Sequence, residues 1–234
     1  MPLIRLNKYL ASLGVASRRQ IDQFTISHRI QINGQIAILG DKVDPDVDTV
    51  IVDKKIIPPH PPAGGPTLVY YLLNKPKFVL SSTSDDRGRK TVLDYVPLNP
   101  RVFPVGRLDF ESSGLIILTN DGELTLRLTH PRFHLPKTYL VTIRGKVTAE
   151  KLQTIRRVPA DVEATVGNFD NTQMKITLYQ GKKRQIRLLC ASLNLFVIDL
   201  CRISIGRISL GQLKPGEWRP LSPGEVKSLM FNQP

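Results

Sequence analysis

The stretch VFPVGRLDFESSGLIILTNDG, residues 102–122, sets an arginine and an aspartate between two short apolar runs. Glycines lie on either side of the charged pair, at Gly106 and Gly114. Short apolar runs that are bounded by glycine are typical of buried strands. Asp109 is therefore predicted at the junction of a strand and a loop, where catalytic side chains are often found.

The composition around this stretch is that of a globular and strongly basic protein. The chain has 234 residues, 41% of them hydrophobic, which is enough for one large domain and one small one. It carries 33 Lys and Arg against 20 Asp and Glu, a net charge of +13 with a pI near 10.0. Such a surplus favours a polyanionic partner such as nucleic acid, although anionic membranes also attract basic proteins.

Cysteine usage and hydropathy indicate the compartment. Cys190 and Cys201 are too few for a disulfide framework, so the sequence predicts a cytoplasmic protein with free thiols. No apolar run is long enough to span a bilayer, and the N-terminus lacks the apolar core of a signal peptide. No membrane partner is expected, and nothing in the sequence indicates an obligate oligomer, so a monomer is expected.

The stretch PPHPPAGGP, residues 58–66, is predicted to be a linker, because such a run of proline and glycine cannot continue a helix or a central strand. It separates a predicted module of residues 1–57 from a predicted domain of residues 67–234. Only 8 of the basic and 6 of the acidic residues precede residue 67, so most of the surplus charge belongs to the larger domain.

The N-terminal module has local signals for two helices and a hairpin. Apolar residues recur at helical spacing from Leu3 to Leu13, and Ser17 is predicted to cap a second helix that runs to about Ile26. Alternation in Ile30–Ile32 followed by Asn33-Gly34 predicts a tight hairpin. Together these elements predict a compact α+β unit.

The segments RLNKYLASLGVASRR, residues 5–19, and RIQING, residues 29–34, resemble the S4 RNA-binding domain over roughly residues 3–50. The resemblance implies that the second helix presents a basic face to RNA. The residues implied in RNA contact are Arg5, Lys8, Arg18, Arg19 and Arg29. His28 stands where S4 domains usually have glycine, so His28 is predicted to adopt the left-handed conformation at the end of that helix.

The larger domain is predicted to hold many short strands and few helices. Strands are expected at Val69–Leu73, Gly114–Leu118, Thr138–Ile143 and Met174–Leu178. Helices are expected at Leu124–Leu128, Thr148–Arg157 and Arg184–Leu193. The predicted fold class is α+β, with a small α/β module linked to a mixed, mostly antiparallel sheet on which helices pack.

Later stretches change the interpretation of Asp109. Alone, this residue would more simply cap a turn or pair with Arg107. However, KTY at Lys137–Tyr139 opens a strand with a base and a ring, and GKKRQIR, residues 181–187, is a basic turn that enters a helix. VIDLCRISIG, residues 197–206, is predicted to be a largely apolar strand with a charged residue toward its end.

These stretches, in this order after GRLD, resemble the RsuA/RluB family of ribosomal RNA pseudouridine synthases. The similar motifs run from LNKP at Leu73–Pro76 to GEWRPL, residues 216–221. The resemblance implies that Asp109 is the catalytic aspartate, Tyr139 the ring beside the target base and Arg187 the basic partner. The predicted substrate-binding residues are Arg107, Lys137, Arg184 and Leu200, of which Leu200 would form the apolar wall of the pocket.

The implied reaction explains why these residue types are needed. A uridine must leave the base stack, so an apolar and aromatic pocket has to hold it. The C1′–N1 bond breaks, the base turns, and C5 bonds to C1′. A carboxylate can attack the sugar, attack the base or remove a ribose proton, and the residues leave these three open. Arg187 beside Asp109 would keep the carboxylate charged despite burial. No redox or hydrolytic step occurs, so no cofactor is expected.

Metal sites are the weaker interpretation of the remaining histidines and acids. His130 and His134 have the spacing of two ligands on one helix face, but Pro131 and Pro136 argue against a continuous helix. Asp121 and the pair Asp85-Asp86 are interpreted as turn formers rather than Mg²⁺ ligands. No metal is therefore expected.

The predicted function is site-specific isomerisation of uridine in ribosomal RNA, either free or in a pre-ribosomal particle. DDRGRKTV, residues 85–92, and the PVGRLD form favour 23S over 16S rRNA, because both look closer to the large-subunit members. The alternative is a non-catalytic RNA-binding protein of ribosome assembly with the same fold. The presence of Asp109, Tyr139 and Arg187 together favours the enzyme, because a protein that has lost catalysis does not need all three.

Overall fold

The computed structural model describes residues 3–58, 67–157, 162–166 and 172–231. The chain divides into two compact units, Met1–Leu68 and Val69–Pro234. The predicted linker, residues 58–66, lies outside the described residues except for Pro58. Of the helices within the described ranges, none combines the length and the apolar character that crossing a bilayer requires.

The N-terminal unit contains short strands and two helices. They are β1 (Ile4–Arg5), α1 (Leu6–Ser12), α2 (Arg18–Ile26), β2 (Ile30–Ile32), β3 (Gln35–Ile36), β4 (Lys42–Val43), β5 (Val50–Val52) and β6 (Lys55–Ile57). Strands β3, β2, β5 and β6 form an antiparallel sheet in that order, and β1 pairs with β4. Leu10, Ile21 and Ile30 are fully buried and join both helices to this sheet in one core.

The local predictions for this unit are confirmed. Helix α2 begins at a capping box, in which Ser17 Oγ accepts from the Gln20 amide and the Gln20 side chain accepts from the Ser17 amide. Strands β2 and β3 meet at Asn33-Gly34, whose φ angles of 51° and 81° are those of a tight hairpin turn. His28 has a φ of 54°, the left-handed conformation predicted for it.

The second unit is built on a nine-stranded sheet. Its strands are β7 (Tyr70–Lys75), β8 (Phe103–Pro104), β9 (Ser113–Thr119), β10 (Lys137–Arg144), β11 (Val162–Val166), β12 (Gln173–Leu178), β13 (Phe196–Ile205), β14 (Ile208–Ser209) and β15 (Trp218–Pro220). Its α-helices are α3 (Gly122–Thr129), α4 (Ala149–Arg157), α5 (Gln185–Ser192) and α6 (Pro223–Phe231). Short 3₁₀ helices lie at Val92–Tyr95 and Pro131–Phe133.

The strand order is β11-β12-β10-β13-β9-β7-β15, with β14 beside β13 and β8 beside β9. Strands β13 and β9 pair in parallel, and the other described pairs in this sheet are antiparallel. The prediction of a mixed, mostly antiparallel sheet is confirmed. Each strand and helix predicted for this domain corresponds to an observed element, with ends shifted by a few residues.

Strand β9 is apolar on both faces because it lies between two cores. Ile116 and Leu118 pack into one core with residues of α5, and Leu115 and Ile117 pack into the other with residues of α3 and α6. Successive side chains of a strand point to opposite faces, so a strand covered on both sides needs a continuous apolar run. This run is GLIIL, the second apolar run of the opening stretch.

Gly114 allows β9 and β13 to approach each other. It has a φ of 105°, and a Cβ added there would lie 2.3 Å from the carbonyl oxygen of Arg202. No side chain fits in that space, so glycine is required both by conformation and by contact. The close approach fixes the position of Arg202 on β13 relative to the loop that precedes β9.

Candidate active site

A cleft of about 590 Å³ opens on the second unit beside the loop that carries Asp109. Its wall comes from the β8–β9 loop, the end of α3, the start of β10, the β12–α5 connection and the middle of β13. The lining includes an acid, several bases, a tyrosine and apolar side chains. A concave site with a few converging polar groups is the usual form of a ligand pocket.

The loop of Asp109 is held by backbone hydrogen bonds. Ser81 Oγ accepts from the Leu108 amide at 3.0 Å and donates to the Leu108 carbonyl at 3.0 Å. The Ser112 amide donates to the Asp109 carbonyl at 3.0 Å. Asp109 itself is partly buried and lines the cleft. These bonds fix the backbone on both sides of the carboxylate, which favours a single orientation toward the cleft.

Lys75, at the end of β7, is a fully buried cation close enough to Asp109 to interact with its charge. Burial lowers the pKa of Lys75 to about 8, Asp109 opposes this change, and Arg202 adds to it. The Lys75 ammonium donates to the carbonyls of Pro76 at 2.8 Å and Val79 at 2.9 Å. The ammonium therefore holds the turn after β7 as well as setting a positive potential at Asp109.

Arg202 is 3% exposed and lines the cleft from β13. Its Nε donates to the Leu115 carbonyl at 2.7 Å, while its Nη2 is buried without a hydrogen-bond partner in the described part of the chain. In the register of β10 and β13, Arg202 lies opposite Tyr139, which is 9% exposed. Side chains that are directly opposite share one face of the sheet, so the guanidinium and the ring face the cleft together.

Lys137, two residues before Tyr139 on β10, is a second lysine with a lowered pKa. Burial lowers the pKa of Lys137 to about 8, and the nearby Arg202 contributes in the same direction. Its ammonium donates to the Leu135 carbonyl at 3.2 Å. At neutral pH the cleft therefore holds positive charge on Lys137 and Arg202, while Lys75, outside the lining, interacts with the charge of Asp109.

The structure brings most of the predicted site residues together. The cleft is lined by the predicted residues Arg107, Asp109, Lys137, Tyr139, Arg184 and Leu200. Arg187 lies on α5 outside this lining, and its Nη2 donates to the Glu111 carbonyl at 3.4 Å. Among the described residues no ion pair joins it to Asp109, and its catalytic role stays a prediction. Arg184 lies 3.7 Å from the Glu111 carboxylate, so Glu111 ties the start of α5 to the Asp109 loop.

Lys75 and Arg202 are the site residues that sequence reasoning missed. Both are charged residues in largely apolar strands, Lys75 at the end of YYLLNK and Arg202 within VIDLCRISI. A buried charge costs free energy unless it is paired or functional, so this pattern was the available signal. The position of Asp109 relative to these cations depends on strand pairing between distant segments, which the pattern does not encode.

The predicted RNA-contact residues of the N-terminal unit, Arg5, Lys8, Arg18, Arg19 and Arg29, are all exposed. Arg18 donates to Asn7 Oδ1 at 3.3 Å across α1 and α2. Arg29 is engaged within the unit, because it pairs with Asp53 at 2.5 Å and lies 4.0 Å over the Phe24 ring. Lys8 on α1 and Arg19 on α2 carry their charges at the surface.

The acids and histidines are placed as the turn interpretation predicted. Asp121 caps α3 by accepting from the amides of Glu123 and Leu124. Asp85 accepts from the amides of Arg87 and Arg89. His130 follows the end of α3 and a 3₁₀ helix separates it from His134, so the two do not share one helix face.

The chain is similar to known proteins over nearly its whole length. The model of the family described as RNA pseudouridylate synthase matches residues 69–192. An uncharacterised RNA pseudouridine synthase of Aquifex aeolicus is 39% identical over 238 residues, covering 97% of this chain and 93% of that protein. Ribosomal large subunit pseudouridine synthase B of Bacillus subtilis is 34% identical, covering 96% of this chain and 95% of its own length.

Further similarity comes from Escherichia coli and from a solved structure. The dual-specificity RNA pseudouridine synthase RluF of Escherichia coli is 37% identical, covering 97% of this chain and 78% of that protein. A crystal structure of a pseudouridylate synthase superposes with a TM-score of 0.67 at 27% identity, covering 97% of this chain and 99% of the other. The similarity therefore extends over both units.

Proposed function

This chain belongs to the RNA pseudouridylate synthase family and is an RNA pseudouridine synthase, and from that premise we propose that it isomerises one uridine of ribosomal RNA with Asp109 as the catalytic carboxylate. The alternative of a non-catalytic RNA-binding protein is set aside, because the relatives are named as enzymes. We also propose that the enzyme acts in the cytoplasm as a monomer.

What supports the role of Asp109 most is the cleft that gathers it with Tyr139, Leu200, Lys137 and Arg202. A flipped uracil needs an apolar and aromatic surface, which Leu200 and Tyr139 provide. A carboxylate that reacts with the nucleoside must be ionised, and the buried cation Lys75 interacts with the charge of Asp109.

The chemistry requires no group beyond those in the cleft. Asp109 supplies the carboxylate that promotes cleavage of the C1′–N1 bond. The free uracil turns against Tyr139 and Leu200, and C5 then bonds to C1′. The proton on C5 then passes to a base or to water, N1 takes up a proton, and the uracil regains its conjugation as pseudouridine. In this scheme Arg202 Nη2 donates to an oxygen of Asp109 or of the turning base, which gives a partner to a buried donor.

The N-terminal unit is proposed to be an S4-like RNA anchor, with Arg18, Arg19, Arg5 and Lys8 facing the phosphate backbone. Its exposed helical cations suit sequence-independent contact with RNA. We place Arg29 in a supporting role, because Asp53 and Phe24 already engage it. The RsuA/RluB resemblance and the large-subunit name of the Bacillus subtilis relative favour 23S rRNA over 16S rRNA as the substrate.

The test is tritium release from uridine labelled at C5 in 23S and 16S rRNA transcribed in vitro. Wild type is expected to release tritium from 23S rRNA, and Asp109→Asn is expected to release none. The amide is isosteric with the carboxylate, so RNA affinity should change less than about threefold, but it cannot act as nucleophile or base. Asp86→Asn is the matched control, an exposed aspartate outside the cleft lining. Release by Asp109→Asn at the wild-type rate would refute the assignment.

A further inference from the structure

Two phenylalanine rings lie at the surface beside the Asp109 loop. Phe78 is 64% exposed and Phe110 is 38% exposed, and their ring centroids are 5.6 Å apart in an edge-to-face arrangement. Phe110 directly follows Asp109 in the chain, but neither ring belongs to the lining of the cleft. The pair therefore lies outside the uridine pocket and next to the catalytic loop.

The backbone of Phe78 adopts a conformation that is rare for its residue type. Its φ of 62° is in the left-handed region, where a residue with a bulky side chain is a clear exception. Such strain persists only when the surrounding structure enforces it, and it concentrates at functional sites. Since the ring is mostly exposed, burial of the side chain does not explain why phenylalanine occupies this position.

Contacts on each side of Phe78 enforce the turn. The Lys75 ammonium holds the carbonyls of Pro76 and Val79, which lie before and after Phe78. The Phe78 amide donates to the Phe110 carbonyl at 2.7 Å. Lys77 pairs with Asp199 of β13 at 2.7 Å, on the strand that carries Arg202. The turn that carries the ring is thus held by the buried Lys75, by the Asp109 loop through the Phe110 carbonyl, and by β13 through Asp199.

We propose that Phe78 and Phe110 form a stacking platform for the RNA base next to the flipped uridine. The inference rests on the proposed function. Extraction of a uridine leaves its neighbouring base without a stacking partner, and an aromatic ring can replace that partner for any base. RNA is the expected occupant because the chain is an RNA pseudouridine synthase with a net charge of +13, and because the pair adjoins Asp109.

The first experiment measures KM and kcat by tritium release from in vitro transcribed 23S rRNA. Phe78→Ala is expected to raise KM about tenfold with a smaller change in kcat, because one base loses its stacking partner. Phe78→Tyr keeps a ring and is expected to retain a KM near that of wild type. Phe196→Ala is the matched control, since Phe196 is 63% exposed in the same domain and away from the cleft lining.

A second variant separates RNA binding from structural support. Glycine adopts a φ of 62° without strain, so Phe78→Gly is expected to melt at or above the wild-type temperature while its KM rises as in Phe78→Ala. A purely structural role for the ring predicts the reverse, a lower melting temperature and an unchanged KM.

The outcomes distinguish this inference from the proposed function. If wild type converts 23S or 16S rRNA and Phe78→Ala has the wild-type KM, the platform is refuted and the proposed function stands. If wild type converts neither RNA, the proposed function fails and the platform fails with it. If light scattering shows a wild-type dimer that Phe78→Ala dissociates while KM stays constant, the rings contact a second copy of the chain and the proposal is wrong.

Discussion

The cations of the N-terminal unit are exposed, whereas two cations of the second unit, Lys75 and Arg202, are buried. Arg18 and Arg19 lie on the open face of α2, and the described structure buries neither. Lys75 is fully buried and Arg202 is 3% exposed. Burial depresses the pKa of Lys75 to about 8, which shows how costly a charge is at that position.

This difference separates two uses of positive charge in one chain. Exposed cations attract phosphates through counterion release, a contribution that weakens with salt and does not depend on precise geometry. Buried cations are shielded from salt and held by hydrogen bonds, so they can act on a developing charge at a fixed point. Under the proposed function, the N-terminal unit supplies affinity for RNA and the second unit orients the reacting groups.

The largest expected effect comes from removing a buried cation of the second unit. Arg202→Gln is expected to lower kcat by about 10²–10³-fold with a small change in RNA affinity, because a positioned donor at the reacting groups is lost. Arg207→Gln, an exposed arginine five residues on, is the control and should retain wild-type kcat. Single-turnover tritium release measures kcat, and a thermal melt checks the fold. An equal kcat in a folded Arg202→Gln protein would contradict a catalytic role for this guanidinium.

The next effect is on the backbone that positions Arg202. Gly114→Ala is expected to destabilise the protein by about 3 kcal/mol or more, because a left-handed strain of about 1–2 kcal/mol adds to a Cβ only 2.3 Å from the Arg202 carbonyl. Gly34→Ala in the N-terminal unit has a similar φ of 81° with open space around the Cβ, and is expected to show only the strain. Urea unfolding measures both, and equal losses would show that the contact at β13 is unimportant.

A smaller effect is expected from reversing the charge of exposed cations on α2. Arg18→Glu with Arg19→Glu is expected to weaken RNA binding about tenfold and to flatten the slope of log K against log salt by about two, while kcat at saturating RNA is kept. Lys54→Glu with Lys55→Glu reverses two exposed charges in the same unit, outside α2, and serves as the control. Filter binding from low to high salt measures the slope. Identical slopes in the two double variants would remove α2 from the RNA contact.

The smallest expected effect is on the pH dependence of kcat/KM, which tests the charge of Lys137 in the cleft. With the pKa of Lys137 lowered to about 8, its ammonium is present below that pH and is lost as pH rises through it. kcat/KM of wild type is therefore expected to fall above about pH 8. Lys137→Arg keeps its charge and should fall less steeply over that range. Titration of the RNA and of Lys75, whose pKa is also lowered to about 8, is common to both profiles. If the two profiles coincide, Lys137 is not responsible for the fall in kcat/KM above about pH 8.

The sequence predicted those parts of the fold that depend on local signals. The cap at Ser17, the turn at Asn33-Gly34 and the strand at Gly114–Leu118 each follow from a few adjacent residues, and the structure has all three. Asp109 was predicted at the junction of a strand and a loop, and the structure has it within the loop that joins β8 to β9. For these features, local propensity and tertiary structure agree.

The cations of the site were harder to predict, because their positions depend on pairing between distant strands. Arg202 meets Tyr139 only through the register of β10 and β13, which includes two irregularities. Arg187 was expected beside Asp109; it lies on α5 outside the cleft lining, where its Nη2 donates to the Glu111 carbonyl, and its role at Asp109 stays a prediction. A helix rotation of one residue changes which side chain faces the cleft, and no local pattern fixes that rotation.

The most direct measurement is a pseudouridine map of both rRNAs from cells that lack this gene and are complemented with wild type or Asp109→Asn. The account predicts that one pseudouridine of 23S rRNA disappears with the gene and returns with wild type alone. Persistence of every rRNA pseudouridine without the gene, or restoration by Asp109→Asn, would contradict it.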